Sequence, residues 1–139
     1  MRLRWSVGTV NVNAIIEQYG GFDGAVVLGM GFDLGVSNLD RSVWIILRAY
    51  CEYADEGLPD WYSLRIEARG NVVHAWEEAP WNTNLVLNYP VTIVQLDERI
   101  VIDFDPLHAV GVRDGGLSRF YLGGESIDIQ VISAPSACT

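Results

Sequence analysis

The sequence predicts a mainly β protein, built as an antiparallel sheet or a partly open barrel of hairpins with one short N-terminal helix. The chain has 139 residues, of which 50% are hydrophobic, enough for one domain with a core. Glycines separate short apolar runs, as turns separate short strands. Several runs alternate apolar and polar residues with the period of a half-buried strand. We therefore expect a single domain over residues 1–139, with a frayed tail at 132–139.

The first predicted elements are a helix and a glycine-containing strand. A short helix over residues 13–19 begins at a capping Asn13 and stops before a Gly-Gly pair. Residues 25–34 follow as a strand, in which Gly29 and Gly31 allow a bend or a bulge. Their spacing to the next glycine misses the dinucleotide-binding pattern by one residue, so we expect no nucleotide loop there.

The segment from Ser42 to Ala54 fits both a strand and a helix. Every second residue is apolar, which is the pattern of a strand. Apolar residues also recur every three or four positions from Leu39 onward, which is the pattern of one face of a helix. The stiff β-branched and aromatic run in its centre favours the strand. We therefore predict a strand, which places Cys51 on a buried apolar face.

Three β-hairpins are predicted in the rest of the chain, because alternating runs flank residues that suit tight turns. They are residues 64–76 with a turn at Gly70-Asn71, residues 91–105 with a turn at Asp97-Glu98, and residues 120–131 with a turn at Gly123-Gly124. Successive hairpins of this kind favour a twisted antiparallel sheet or barrel.

Negative charge is concentrated in the middle of the sequence. The chain has 18 acidic and 9 basic residues, all of the latter arginine, for a net charge of -9. Residues 52–105 hold eleven acids against three arginines, a net charge of -8, and the flanking segments are nearly neutral. This balance opposes nucleic acid and anionic membranes as partners and favours a basic protein. The sequence also lacks the roughly 20-residue apolar run of a membrane span and the apolar stretch of a signal peptide, so we expect a cytoplasmic protein.

Aromatic residues lie beside these acids, and we predict that the two groups together bind a protein partner. Tryptophan and tyrosine are enriched at interfaces, where a polar rim surrounds apolar anchors. The predicted partner-binding residues are Asp55, Glu56, Trp61, Tyr62, Trp76, Glu77, Glu78 and Trp81. We predict no catalytic residue, no metal and no cofactor.

A divergent cysteine enzyme is one alternative. Cys51, His74 and either Asp103 or Asp105 form a possible nucleophile, base and orienting acid, in the order of a papain-like or transglutaminase-like site. The segments GVS, HAW and IDFDP resemble degenerate transglutaminase-type motifs, with Ser37 in place of that family's cysteine. A reactive cysteine is expected to open a helix, whereas Cys51 comes late in its element, so we predict a structural thiol.

Metal binding is another alternative, because residues of ligand type occur in two short stretches. They are His74, Glu77, Glu78, Asp103, Asp105 and His108. Successive residues of a strand point to opposite faces, so these side chains are not expected to converge on one ion.

The order of the elements also resembles a known group of proteins. A short helix is followed by Phe22-Asp23-Gly24-Ala25 and then by a meander containing LRIEARGNVVHAW, VTIVQLDERIVIDFDP and RFYLGGESIDIQVI. Over residues 14–132 this order resembles small all-β immunity proteins of bacterial polymorphic-toxin systems. The resemblance implies a non-enzymatic protein that neutralises a toxin by masking it. A structural subunit of a bacterial or phage assembly is the remaining alternative.

Overall fold

The computed structural model describes residues 2–6, 16, 20–50, 61–77, 86–87, 90–105 and 117–133. These residues form nine strands and a one-turn 3-10 helix at Gly20–Phe22. The strands are β1 (Arg2–Ser6), β2 (Val26–Asp33), β3 (Ser42–Tyr50), β4 (Trp61–Arg69), β5 (Val73–Trp76), β6 (Thr92–Leu96), β7 (Arg99–Asp103), β8 (Phe120–Gly124) and β9 (Ser126–Ser133). Within these ranges no helix has the length and hydropathy needed to cross a membrane.

The strands form two antiparallel sheets with the core between them. Sheet A has the order β1-β9-β4-β3-β2, and sheet B has the order β5-β8-β7-β6. The predicted mainly β, antiparallel fold class is confirmed, and the described strands form two open sheets rather than a closed barrel. Of the predicted helix at 13–19, only Ile16 belongs to the described residues, where it is buried. The rest of that prediction lies outside them.

Alternating apolar residues build the core. On β3, Val43, Ile45, Leu47 and Ala49 are buried, which is the period of two expected for a strand with one face on a core. The strand predicted from Ser42 is therefore confirmed as far as Tyr50, and residues 51–54 lie outside the described part of the chain. The other strands contribute Val27, Leu64, Ile66, Ala68, Ile100, Ile102, Phe120, Leu122, Ile127 and Ile129 to the same core.

Two of the three predicted hairpins are wrong. β4 pairs with β3 and β9, whereas β5 pairs with β8 in the other sheet, so the chain crosses from sheet A to sheet B at Gly70-Asn71. β8 pairs with β5 and β7, whereas β9 pairs with β1 and β4, so the chain then crosses back. The alternating pattern cannot distinguish these arrangements, because a strand of either sheet buries one face in the shared core. The hairpin of β6 and β7 around Asp97-Glu98 is confirmed.

The glycines at these two crossings have different roles. Gly70 and Asn71 have φ angles of 79° and 45°, as a tight turn requires, but the turn forms a corner between the sheets. Gly123 lies inside β8, where a Cβ atom would stand 2.6 Å from the carbonyl oxygen of Ile100. Close approach of neighbouring backbones, rather than a turn, therefore requires glycine at this position.

Both crossings meet at one end of the molecule, which we call the crossover end. The backbone N–H of Glu125, between β8 and β9, donates to the carbonyl oxygen of Gly70 at 2.9 Å. A backbone hydrogen bond thus joins the two short connections between the sheets.

The predicted strand at 25–34 is confirmed as β2, with its predicted irregularity. The register between β2 and β3 shifts between Val27 and Gly29, as a bulge does. β2 forms one edge of sheet A, and the candidate site described below lies along it.

Candidate functional site

Four of the eight predicted partner-binding residues are described, and the three aromatic ones are fixed to the framework. Trp61 is half-buried, with its ring edge-on to Tyr50 at 5.6 Å. Tyr62 packs against the core cluster. Trp76 is exposed at the end of β5, but its ring lies 4.5 Å from that of the buried Phe120. The others, Asp55, Glu56, Glu78 and Trp81, lie outside the described residues.

The fourth, Glu77, lies far from other exposed acids of the middle section. Its carboxylate pairs with Arg119 at 3.5 Å, just beyond the end of β5. Asp97 and Glu98 form the β6–β7 turn, which the pairing of the strands places at the opposite end of sheet B. The described acids of residues 52–105 therefore do not form one continuous surface.

Glu67 also belongs to residues 52–105, but it is buried in a charge cluster on the outer face of sheet A. It is 5% exposed, and its two carboxylate oxygens accept hydrogen bonds from Arg65 at 3.1 Å and Arg69 at 2.9 Å. Asp128 stands opposite it on β9. Like charges facing each other across strands destabilise a sheet, and the two flanking arginines offset this repulsion.

His74 and Asp103 do not form a catalytic pair. Ala75 and Asp103 both pair with Tyr121, so these three residues share one face of sheet B and His74 lies on the other. The His74 ring lies against Phe32 of sheet A, with 5.9 Å between the ring centroids. Cys51 lies outside the described residues.

Asp103, at the end of β7, instead forms hydrogen bonds with two neighbouring backbone segments, at residue 105 and at residue 118. It is 1% exposed and accepts hydrogen bonds from the Ser118 backbone N–H at 2.8 Å, the Ser118 hydroxyl at 2.5 Å and the Asp105 N–H at 3.0 Å. A buried carboxylate whose acceptor positions are occupied in this way is a structural group.

The other predicted ligand-type residues give no metal centre in the part of the chain that the structure describes. There, no three histidine, cysteine, aspartate or glutamate side chains stand where they could share an ion. Glu78 and His108 lie outside that part.

An open cleft of about 490 Å³ lies at the crossover end, between the β6–β7 turn and the two crossings. Arg99 Nε donates to the carbonyl oxygen of Asn71 at 2.6 Å, and Asn71 Nδ2 donates to Glu125 Oε1. Because these polar groups bind one another, we interpret the cleft as a hydrogen-bond network that stabilises the two crossings rather than as a ligand site.

The most distinctive surface is a row of exposed apolar side chains that the sequence reasoning did not identify. They lie on β2 and in the loop of residues 34–41 that joins β2 to β3. We call them the β2 ridge: Leu28, Phe32, Leu34, Val36 and Leu39, with exposed fractions of 56%, 61%, 61%, 97% and 65%. Single exposed apolar residues are common on soluble proteins, whereas several along one strand and its loop make a candidate interaction surface.

The loop that carries three of these side chains is held by hydrogen bonds. Asp33 Oδ1 accepts from the Gly35 N–H at 3.0 Å, and the Asp40 N–H donates to the Ser37 carbonyl oxygen at 3.0 Å. At the crossover end, the Asn71 backbone N–H donates to the Asn38 carbonyl oxygen at 3.0 Å. The loop therefore presents its apolar side chains from a defined backbone conformation.

The backbone of β2 has an open edge beside the ridge. The start of the strand is covered, because Val26 bridges to Val86 and the Leu87 N–H donates to the Ala25 carbonyl oxygen at 2.9 Å. From Leu28 to Asp33, no described residue pairs with β2 on the side away from β3. Among the described residues, the main-chain donors and acceptors of this stretch have no strand partner on that side.

The outer side of this edge is a flat shelf. Gly31 pairs with Trp44 on β3, and a Cβ atom at Gly31 would stand 2.4 Å from the Trp44 ring, so the indole covers the glycine. Arg65 stacks over the same indole, with its guanidinium carbon 5.3 Å from the ring centroid. A Cβ atom at Gly29 would meet nothing within 4 Å. The shelf thus has a fixed aromatic floor and an open glycine beside it.

The sequence held a signal for the ridge, namely that apolar residues continue past the strand into a loop. Leu34, Val36 and Leu39 lie among glycine, serine and aspartate, where polar residues are expected. Leu39 also fits a helical stripe and Leu34 also fits the end of a strand, and these alternative interpretations conceal the signal.

No protein-family model, no curated protein and no solved structure matches this chain.

Proposed function

We propose that this protein is a non-enzymatic binding module that docks a basic protein on the β2 ridge. One observation carries the proposal: five large apolar side chains stay exposed on an edge strand and a hydrogen-bonded loop. Covering such a surface with a partner removes apolar area from water, which is the main favourable term in protein association.

The charge of the chain supports a basic partner. The net charge is -9, and the exposed Asp33 and Asp40 lie within the ridge. A field of this sign accelerates the approach of a cationic protein, and the ridge then supplies the short-range contacts. In this proposal the exposed acids of residues 52–105 act mainly by steering, and Trp76 and Glu77 remain candidate contacts.

The resemblance to toxin-immunity proteins supports a narrower version. A bacterial toxin with a cationic surface has the charge that this chain would attract, and masking it requires no catalytic group on the mask. We propose that this encounter takes place in the cytoplasm, where two cysteines with no disulfide framework remain reduced.

A matched set of variants tests the ridge. Val36→Asp with Leu39→Asp places charges where a partner would bury apolar groups, whereas Ile132→Asp makes the same change at an exposed apolar residue on β9. All three positions are exposed, so we expect each change to alter the free energy of unfolding by only about 0.5 kcal/mol. Each protein is immobilised and challenged with lysate of the source cell.

The proposal expects a cationic protein that wild type and Ile132→Asp retain and the double ridge variant loses. With that protein purified, raising the salt concentration should slow its association, because the Debye length falls to about 8 Å at physiological ionic strength. If every protein that wild type retains is retained equally by the ridge variant, the ridge is not the binding surface.

A further inference from the structure

We propose that the partner supplies an extended basic segment, which pairs with β2 and becomes the sixth strand of sheet A. This inference rests on the proposed function, because it specifies how the partner engages the β2 ridge. Its basis is the coincidence of an open strand edge, a flat shelf and exposed apolar side chains on one strand and the loop that follows it.

The backbone of β2 is suited to strand addition. In an antiparallel pair, alternate residues direct their N–H and C=O groups away from the neighbouring strand. The bulge lies at Val27/Gly29, and the register from Met30 to Asp33 is regular. The open stretch from Leu28 to Asp33 is about 20 Å long, enough to pair with a segment of about six residues.

Apart from Asp33 at its end, the edge lacks the residues with which proteins usually block unwanted strand pairing. Natural edge strands carry lysine, proline or inward-pointing charges that prevent association. The segment from Val26 to Phe32 reads VVLGMGF and contains neither a charge nor a proline. The bulge near its start is the one protective feature in this stretch, and it leaves the second half of the strand open.

Side chains on the two sides of β2 would select the incoming residues. On the core side, Phe32 and His74 form an exposed aromatic surface at the edge of both sheets. On the outer side, Gly29 and Gly31 have no side chains, and the Trp44 indole forms the floor. Strand addition derives affinity from main-chain hydrogen bonds and specificity from such alternating sites.

Charge favours a basic segment over a second copy of this chain. Two copies would each bring a net charge of -9, and their repulsion opposes pairing of one β2 with another. Asp33 ends the strand, and the exposed Asp40 lies in the adjoining loop. Lysine or arginine at the matching end of an incoming strand would face these carboxylates.

The test begins with a displayed library of random peptides of about seven residues. The library is selected on the wild-type protein alone, and the enriched peptides are then tested for binding to Val36→Asp with Leu39→Asp. We expect the enriched peptides to alternate β-branched or aromatic residues with lysine or arginine. No enrichment, or a consensus with a helical or proline-rich pattern, overturns the inference.

The best peptide is then synthesised in two forms, each N-methylated at alternate residues. One form blocks the N–H groups that face β2, and the other blocks those that face solvent. Loss of two or three hydrogen bonds should weaken binding about tenfold or more for one form, whereas the other form should bind as the parent does. Amide hydrogen exchange should slow at alternate residues between Leu28 and Asp33 when the parent peptide binds.

The outcomes separate this inference from the function on which it rests. If the ridge variant loses the peptide but both N-methylated forms bind equally and the β2 amides stay unprotected, the ridge binds proteins without strand addition. If the ridge variant retains the peptide, both proposals fail. Concentration-dependent dimerisation with protection of the same amides identifies a second copy as the occupant and also overturns the inference.

Discussion

Replacing Gly31 by alanine should destabilise the protein, whereas the same change at Gly29 should not. Both glycines lie on the open edge strand and neither has a positive φ angle. A Cβ atom at Gly31 would stand 2.4 Å from Cζ2 of Trp44, well inside van der Waals contact. The indole must therefore swing away, and it then leaves the guanidinium of Arg65.

The magnitude follows from three contributions. Forcing an extra methyl group into a packed site costs about 1–3 kcal/mol, and losing an exposed cation–π contact costs about 0.5–1 kcal/mol. Alanine recovers about 0.4–1 kcal/mol by restricting the unfolded chain. We expect Gly31→Ala to lose about 2 kcal/mol of unfolding free energy, and Gly29→Ala, with nothing within 4 Å, to gain up to about 1 kcal/mol.

Urea denaturation followed by tryptophan fluorescence measures both variants, and Trp44→Ala completes a double-mutant cycle. Without the indole, Gly31→Ala should become as favourable as Gly29→Ala. Equal stabilities of the two single variants, or an unchanged penalty in the Trp44→Ala background, would refute the packing of Trp44 on Gly31.

Three further measurements address the framework. Asp103→Ala leaves the buried Ser118 N–H and the half-buried Asp105 N–H without their acceptor and removes one of two acceptors of the Ser118 hydroxyl, and should cost about 3 kcal/mol in urea denaturation; a cost below that of Ser118→Ala would contradict the assignment. Ile45→Ala should lower the free energy of unfolding by about 2–5 kcal/mol because this side chain is fully buried. Ile46→Ala, at a half-buried side chain on the outer face, should lower it far less, and equal losses would contradict the register of β3. Cys51, predicted as a core residue, should react slowly with a thiol reagent in the native protein and rapidly in urea; fast native labelling would favour a reactive thiol.

The elements that the sequence predicted correctly are those determined by local information. Alternation and β-branching identified β3, although a helical stripe competed with it. Two turn residues, Asp97 and Glu98, marked the β6–β7 hairpin, and Asp97 adopts the positive φ of 55° that such a turn uses. Each of these decisions depends on residues within one strand or one turn.

Strand pairing could not be predicted in the same way. Gly70-Asn71 has the dihedral angles of a tight turn whether the next strand returns beside β4 or passes to the other sheet. The choice depends on β9, which occupies the edge of β4 that a hairpin would have used. The competition between β5 and β9 for this edge involves residues about sixty positions apart, so no local sequence pattern predicts its outcome.

The site was missed for a related reason. Hydrophobic patterning shows which residues are apolar but not which of them another element covers. The pattern predicts Leu34 and Leu39 as core residues, yet both lie exposed in the loop that follows the edge strand β2. Conversely, the sequence pattern predicts Glu67 as an exposed surface charge, whereas the structure buries it between two arginines. Exposure at both sites is set by neighbours that are distant in sequence.

The position of β9 also governs when this protein can fold during synthesis. β9 inserts between β1 and β4, so sheet A stays divided until the ribosome has released residues 126–133. Until then β4 presents a bare apolar edge that includes Leu64 and Ile66, which are fully buried in the finished molecule. Such an edge invites pairing with other nascent chains, and non-local closure is slow. A chaperone that shields β4 should therefore raise the yield more than one acting on the early β2–β3 hairpin.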